Sequence, residues 1–223
     1  MASIRFLGHA GFLVELAGRK VLFDPWLDPS PTVKPRLVPT ATTQEGIRRC
    51  DAICVSSTSF GRLSPFDVEA IVARCNSYVV APVEVLAKLE VAQRWKVSAD
   101  PGDSFSLVGL DFQVLPANNP RGGVGFLVRG DGKSIYYAGP TYEFGEMREI
   151  SCDVAVLPIG GADGMDSIGA VNALKTLRAK YAVPMAYNTF DRIRVNEHDF
   201  ASRVKANTKS LPIVLGVAEA FSF

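Results

Sequence analysis

AICVSSTSFGRLSPFD, residues 52–67, is the stretch from which the fold of this chain follows. It opens on Ala52 to Val55, four apolar residues with no polar alternation. A strand of that kind fits a sheet buried on both faces. A loop of mostly small residues, SSTSFGRLS (Ser56 to Ser64), comes next. A helix then begins, with Ser64 as N-cap, Pro65 at the first helical position and Asp67 closing a capping box. Upstream, Ile4–Leu7, Phe12–Leu16 and Lys20–Phe23 read as short strands, and Gly18-Arg19 gives a hairpin signal between the last two. Residues 25–39 form a proline-rich loop. Downstream come a strand at Tyr78–Val80 and a helix at Val83–Gln93. A second strand-rich half follows: Ser104–Leu107, Leu110–Leu115, Gly125–Val128 and Ser134–Tyr137. Asn118-Asn119 reads as a turn and Asp131-Gly132 as a hairpin turn. The chain then alternates: strand Val154–Leu157, helix Ser167–Ala179, strand Ala182–Met185, helix Glu197–Val204 and a last strand Ile213–Leu215. Two mixed sheets packed face to face, with helices outside, would cover all these apolar faces in one α/β domain spanning residues 1–223.

Composition narrows the classes. The 223 residues are 48% hydrophobic and 21% charged, enough for one well-buried core. A net charge of +1 argues against nucleic acid, which needs clustered cations. No apolar run approaches the roughly 20 residues that span a bilayer, and the N-terminus lacks a signal-peptide layout, so a cytoplasmic protein is expected. The four cysteines, Cys50, Cys54, Cys75 and Cys152, are expected to be reduced and buried. Histidine is the most informative count. There are two, His9 and His198, too few for a site that holds two metals on imidazoles.

Five ordered segments carry a family resemblance: LGHAGFLVE (Leu7–Glu15), VLFDPWL (Val21–Leu27), YYAGPTYEFGEM (Tyr136–Met147), LPIGG (Leu157–Gly161) and VPMAYNTF (Val183–Phe190). Together they resemble the metallo-β-lactamase superfamily, in the branch that includes the L-ascorbate-6-phosphate lactonase relatives. The likeness runs from Ile4 to about Leu215. It implies a four-layer αββα sandwich with an active site where strand ends meet loops at one edge. It also implies a His-x-His-x-Asp-His metal loop after a buried strand. Here those positions hold Ser57, Ser59, Gly61 and Arg62. The remaining ligand positions fall at Asn119, Pro140 and Ala186. Zinc takes imidazole, thiolate or carboxylate at about 2 Å, and none of these seven residues supplies one. Arg62 opposes a metal outright. Two unit charges 4 Å apart interact by about 4 kcal/mol at an effective dielectric near 20, and a dication doubles that.

The pocket implied by the resemblance contains His9, Asp24, Ser57, Ser59, Arg62, Asn118, Asn119, Tyr137, Tyr187 and Asn188. Arg62 is expected to pair with Asp24, which is otherwise a carboxylate in a closed site stripped of its cation. His9 reads either as a satisfied structural residue or as a base, with Ser57 or Ser59 as a nucleophile for it to serve. GGADGMD (Gly160–Asp166) reads as a turn into a helix N-terminus, not a phosphate loop. From the sequence, the expected function is a degenerate, metal-free binding, regulatory or scaffold protein, without a cofactor, whose partner is another protein or a small anion. The alternatives are a hydrolase, lactonase-like or phosphodiesterase-like, working without metal or with a relocated one, and a nucleic-acid-binding relative. The apolar C-terminus, Phe221 and Phe223, is expected to pack on its own domain or to join two subunits.

Overall fold

A computed structural model describes residues 2–27 and 36–223; part of the proline-rich stretch, 28–35, lies outside the described residues. The first half of the chain runs β1 (Ser3–Gly8), β2 (Gly11–Leu16), β3 (Arg19–Phe23), β4 (Ala52–Cys54), α1 (Pro65–Cys75), β5 (Tyr78–Ala81), α2 (Val83–Leu86) and β6 (Lys96–Ser98). The second half runs β7 (Ser104–Leu107), β8 (Leu110–Pro116), β9 (Val124–Gly130), β10 (Lys133–Tyr137), β11 (Ser151–Pro158), α3 (Ser167–Thr176), β12 (Arg178–Met185), α4 (Glu197–Asn207), β13 (Leu211–Pro212) and β14 (Ala220–Ser222). They form two sheets, ordered β14-β1-β2-β3-β4-β5-β6 and β13-β12-β11-β10-β9-β8-β7. Antiparallel meanders start each half, and β3 to β6 and β10 to β13 pair in parallel.

The apolar strands explain the layers. Ala52 and Cys54 point into the core between the sheets, together with Val21, Phe23 and Val80. Ile53 and Val55 point the other way, onto Val68, Ile71 and Val72 of α1. Alternate residues of β4 therefore serve two cores, which is why the strand has no polar face. The second sheet repeats this, with Val154 to Leu157 sharing their core with Ala170, Leu174, Phe200 and Val204 of α3 and α4. The result is the four-layer αββα sandwich.

Several elements differ from the sequence reading. The helix expected over Val83–Gln93 stops at Leu86, because the Lys96 ammonium donates to the carbonyls of Leu86 and Leu89 (2.9 and 2.8 Å) and replaces the next turn. The helix expected to reach Ala179 ends at Thr176, because Arg178 onward pairs in parallel with β11. Strand β6 was not expected. The last strand is not Ile213–Leu215 but β13, followed by β14 on the edge of β1. Phe221 stacks edge-on against Tyr181 at 4.9 Å, so the apolar C-terminus packs on its own chain. Ser64 does cap α1, accepting from Asp67 N, but the Asp67 carboxylate accepts from Leu27 N at 2.8 Å, which ties the helix to the loop after β3. No described helix is long and apolar enough to cross a membrane.

Candidate functional site

The carboxyl ends of the parallel strands β3, β4, β10, β11 and β12 meet at one edge, the position where α/β sheets gather ligands. Backbone strain collects there. His9, Asp24, Ala186 and Asn188 all have φ between 40° and 56°, a costly conformation for residues with a Cβ that persists where the surroundings impose it. At His9 the carbonyl accepts from Ala186 N at 2.8 Å, tying β1 to the end of β12.

At the centre lies a buried polar cluster. Asp24 is fully buried and its carboxylate accepts four hydrogen bonds: from Ser56 N (2.7 Å), Ser56 Oγ (2.6 Å), Tyr137 Oη (2.6 Å) and Arg62 Nη1 (2.8 Å). Arg62 is 2% exposed, and the same Nη1 reaches Tyr137 Oη at 3.2 Å. Burial works against the guanidinium charge, but Tyr137 and Asp24 outweigh it and raise the Arg62 pKa above its ordinary value. Burial and then Asp24 hold the Tyr137 phenol protonated far above its usual range. The expected ion pair is thus present, and it serves β3, β4 and β10 at once.

Arg62 uses one nitrogen for these bonds. Among the described residues its Nε and Nη2 make no hydrogen bond, yet neither is sealed from solvent. Arg62 lines a small cavity of about 40 Å³, together with His9, Phe60, Asp163, Phe190 and Arg192 among others. That is room for a few waters or a small functional group.

His9 faces the same cavity. Its Nδ1 lies 3.0 Å from Thr189 Oγ1, and the Thr189 hydroxyl donates to Tyr187 O at 3.2 Å. The hydroxyl proton being so engaged, Nδ1 carries hydrogen and Nε2 carries the lone pair. Burial, then the charges of Arg62 and Arg36, push the His9 pKa down to about 3, so the ring is neutral in ordinary buffers. Gly61 makes room for it: a Cβ there would sit 2.6 Å from His9 Nε2.

An aromatic wall closes the mouth. Trp26, Phe60 and Phe190 pack with centroids 5.1 to 5.8 Å apart, His9 meets Trp26 and Phe190 edge-on, and the Arg36 guanidinium covers Trp26 at 4.4 Å. Sequence reasoning missed this wall. The signal available was Phe60, a large apolar residue in a loop of small polar ones.

The other expected pocket residues are elsewhere. Ser57 is buried and accepts from Ser59 N at 3.2 Å; neither lines the cavity, and His9 bonds Thr189 rather than either serine, so no triad forms. Asn118 is exposed and donates to Glu143 O, completing a turn. Asn119 donates to Pro140 O and to Asp163, behind the cavity rim. Tyr187 and Asn188 line a separate depression, and Asn188 clamps its own loop through Val195 and Glu197. The cysteine thiols of Cys50 and Cys152 are pushed up to about 12 by burial, so they are inert. Cys75 is only half-buried. A larger open depression of about 740 Å³, with Lys175, Lys180 and Lys209 on its rim, lies at the opposite ends of β11 and β12, away from this chemistry.

These features define a class. The family described as the beta-lactamase superfamily domain matches residues 3–186, and the chain belongs to it. Its relatives narrow the placement. The chain is 36% identical over 228 residues to a UPF0173 metal-dependent hydrolase of Thermofilum pendens, covering 96% of both chains, and 32% identical to one of Opitutus terrae, covering 91% of this chain and 92% of that one. Among solved structures it is similar to Igni18, a metallo hydrolase from the hyperthermophilic archaeon Ignicoccus hospitalis, with a TM-score of 0.85, 27% identity and 100% and 99% of the two chains covered. These hydrolase relatives overturn the expectation of a binding, regulatory or scaffold protein.

The residues at this centre do not fit the metal for which the relatives are named. The Asp24 oxygens are taken by four donors, one of them a guanidinium. On the resemblance drawn from the sequence, Ser57, Gly61, Pro140 and Ala186 fall at expected ligand positions, and none of them has an imidazole, thiolate or carboxylate. Among the described residues no group of three or more His, Cys, Asp or Glu could hold a metal ion.

Proposed function

We propose that the chain is a hydrolase of carboxylic esters or lactones whose polarising charge at this centre is the Arg62 guanidinium. One observation carries the reading: Arg62, whose Nε and Nη2 have no hydrogen-bond partner among the described residues, and His9 line one cavity, large enough for a carbonyl group and a water. His9 Nε2 takes a proton from that water as its oxygen attacks the carbonyl carbon. The carbonyl oxygen becomes an oxyanion on the Arg62 nitrogens, in a site where burial strengthens every charge. The intermediate collapses, the C–O bond to the leaving alkoxide breaks, and His9 returns the proton to it. The balance is ester plus water to acid plus alcohol.

The low basicity of His9 comes partly from Arg62. An oxyanion forming against Arg62 offsets that charge, so the base strengthens as the reaction proceeds.

The test is hydrolysis of p-nitrophenyl acetate and of a γ-lactone by the wild type, His9→Gln and Arg62→Lys, with circular dichroism to confirm folding. Losses of about 10²-fold or more in kcat/KM for each variant support the assignment. Folded variants with unchanged rates overturn it.

A further inference from the structure

We infer that the depression at the amino ends of β11 and β12, away from the edge that carries His9 and Arg62, binds a compact polyanion of the phosphate class. Arg178 and Lys209 are its principal contacts, with Lys175 and Lys180 in the same lining. The site is independent of the hydrolase reading above.

Charge is segregated in this part of the chain. Against totals of 24 cations and 23 acids, residues 167–190 and 200–218 hold six cations and no acid. The fold joins the two stretches: α3 packs beside α4, and the loop after α4 returns to β12, where Ser210 Oγ donates to Ala179 O at 2.8 Å. Between them lies a depression of about 740 Å³, a size usual for small-molecule sites. Lys175, Arg178, Lys180 and Lys209 line it, all exposed, and no aspartate or glutamate does so among the described residues. Arg178 and Lys180, two apart on β12, stand on one face of the strand. Buried Cys152, Leu174 and Leu177 complete the lining with apolar surface.

The ordinary reason for cations here would be the helix ends. Both α3 and α4 finish at this depression, and a helix C-terminus carries about half a negative charge and carbonyls without helical partners. The hydrogen bonds show another arrangement. Thr176 Oγ1 donates to Ala173 O (2.9 Å), Asn207 Nδ2 to Arg203 O (2.8 Å) and Thr208 Oγ1 to Val204 O (2.9 Å), so side chains of the helix ends meet those carbonyls themselves. Lys175 donates to Asn172 Oδ1, and Lys180 pairs with Asp153 at 2.6 Å. The side chains of Arg178 and Lys209 have no hydrogen bond or ion pair among the described residues. The two helix ends offset about one positive charge and Asp153 another, which leaves about two of the four unanswered. An anion placed between such cations gains from each of them. The Arg178 guanidinium matches two phosphate oxygens at once, and a lysine adds a point charge. A carboxylate would answer half of the excess. A phosphate monoester or a pyrophosphate carries the whole of it on one compact group.

The probes are inorganic pyrophosphate, orthophosphate and acetate, titrated by calorimetry at fixed ionic strength, with the thermal midpoint as a second readout. Pyrophosphate is expected to bind the wild type at least about tenfold more tightly than orthophosphate, with acetate silent, and to raise the midpoint. Arg178→Gln/Lys209→Gln is expected to weaken pyrophosphate about tenfold or more. Arg48→Gln/Lys88→Gln removes the same two charges from exposed positions outside the depression and is expected to bind as the wild type does. Circular dichroism checks each fold. If the first pair does not fold, Lys175→Gln/Lys209→Gln, which leaves β12 intact, takes its place with the same expectation. Equal losses in the site pair and the distant pair would make the attraction a property of net charge and overturn the site. So would a wild type that binds pyrophosphate no more tightly than orthophosphate. Neither result bears on ester hydrolysis by Arg62 and His9, and failure of that hydrolysis leaves this site standing.

Discussion

His9 is held neutral by its surroundings, and that has a consequence for stability. An unfolded histidine titrates near 6.5 and this one, folded, near 3. Between those values the unfolded chain takes up a proton that the folded chain refuses. Stability therefore falls as pH drops through the window, by at most about 1.4 kcal/mol per pH unit. In urea melts between pH 6.5 and 5, the wild type should lose stability on acidification and His9→Gln should show a flatter slope; equal slopes would contradict this account of His9. Arg62 and Asp24 make a second case. Removing one member of a buried ion pair strands the other, typically at about 3–5 kcal/mol, whereas replacing both costs much less. Denaturation of Arg62→Met should show that loss, and Arg62→Met/Asp24→Asn should recover most of it. The Arg62–Asp24 pair was legible in the sequence, because a carboxylate in a closed site needs a cation and Arg62 stood in the loop that could bring one. The tautomer that would let His9 act as a base was not. Its tautomer depends on Thr189, 180 residues away in the chain, and no local pattern announces such a bond.

The loop after β4 is set by contacts at both of its ends. Ser56 docks on Asp24, Ser64 caps α1, and Asp67 ties that helix to Leu27. Between them Gly61 has φ of 83°, and any side chain there would collide with the His9 ring. Gly18, at φ 72°, has no atom within 4 Å of a built Cβ, so it measures backbone strain alone. Gly18→Ala should cost about 1 kcal/mol. Gly61→Ala should cost clearly more, and should also impair hydrolysis by displacing His9; equal costs with intact activity would sever the loop from the site. The cap at Ser64 was readable from SPFD. The use of Asp67 was not, since its partner, Leu27 N, lies 40 residues away. The short α2 was missed for a similar reason: Lys96 replaces a helical turn that the local sequence favours.

At the scale of the molecule, two sheets share one core. The site sits where their parallel strands end, so the edge is assembled from β1 to β4 and β9 to β12. The layer order was legible, because apolar strands without alternation can only be covered on both faces. The preference for a binding, regulatory or scaffold protein over the hydrolase alternative was wrong, because the absence of expected ligand residues says what a site is poor at holding and is silent about other chemistry there. The relatives supply the hydrolase class, and the Arg62–His9 cavity supplies a geometry for it. The most direct test is the rate of ester hydrolysis after exhaustive chelation, followed by titration with zinc and manganese. The account predicts full activity in chelator, no gain on adding either metal, and loss in Arg62→Lys. Activity that vanishes in chelator and returns with one equivalent of metal would contradict it.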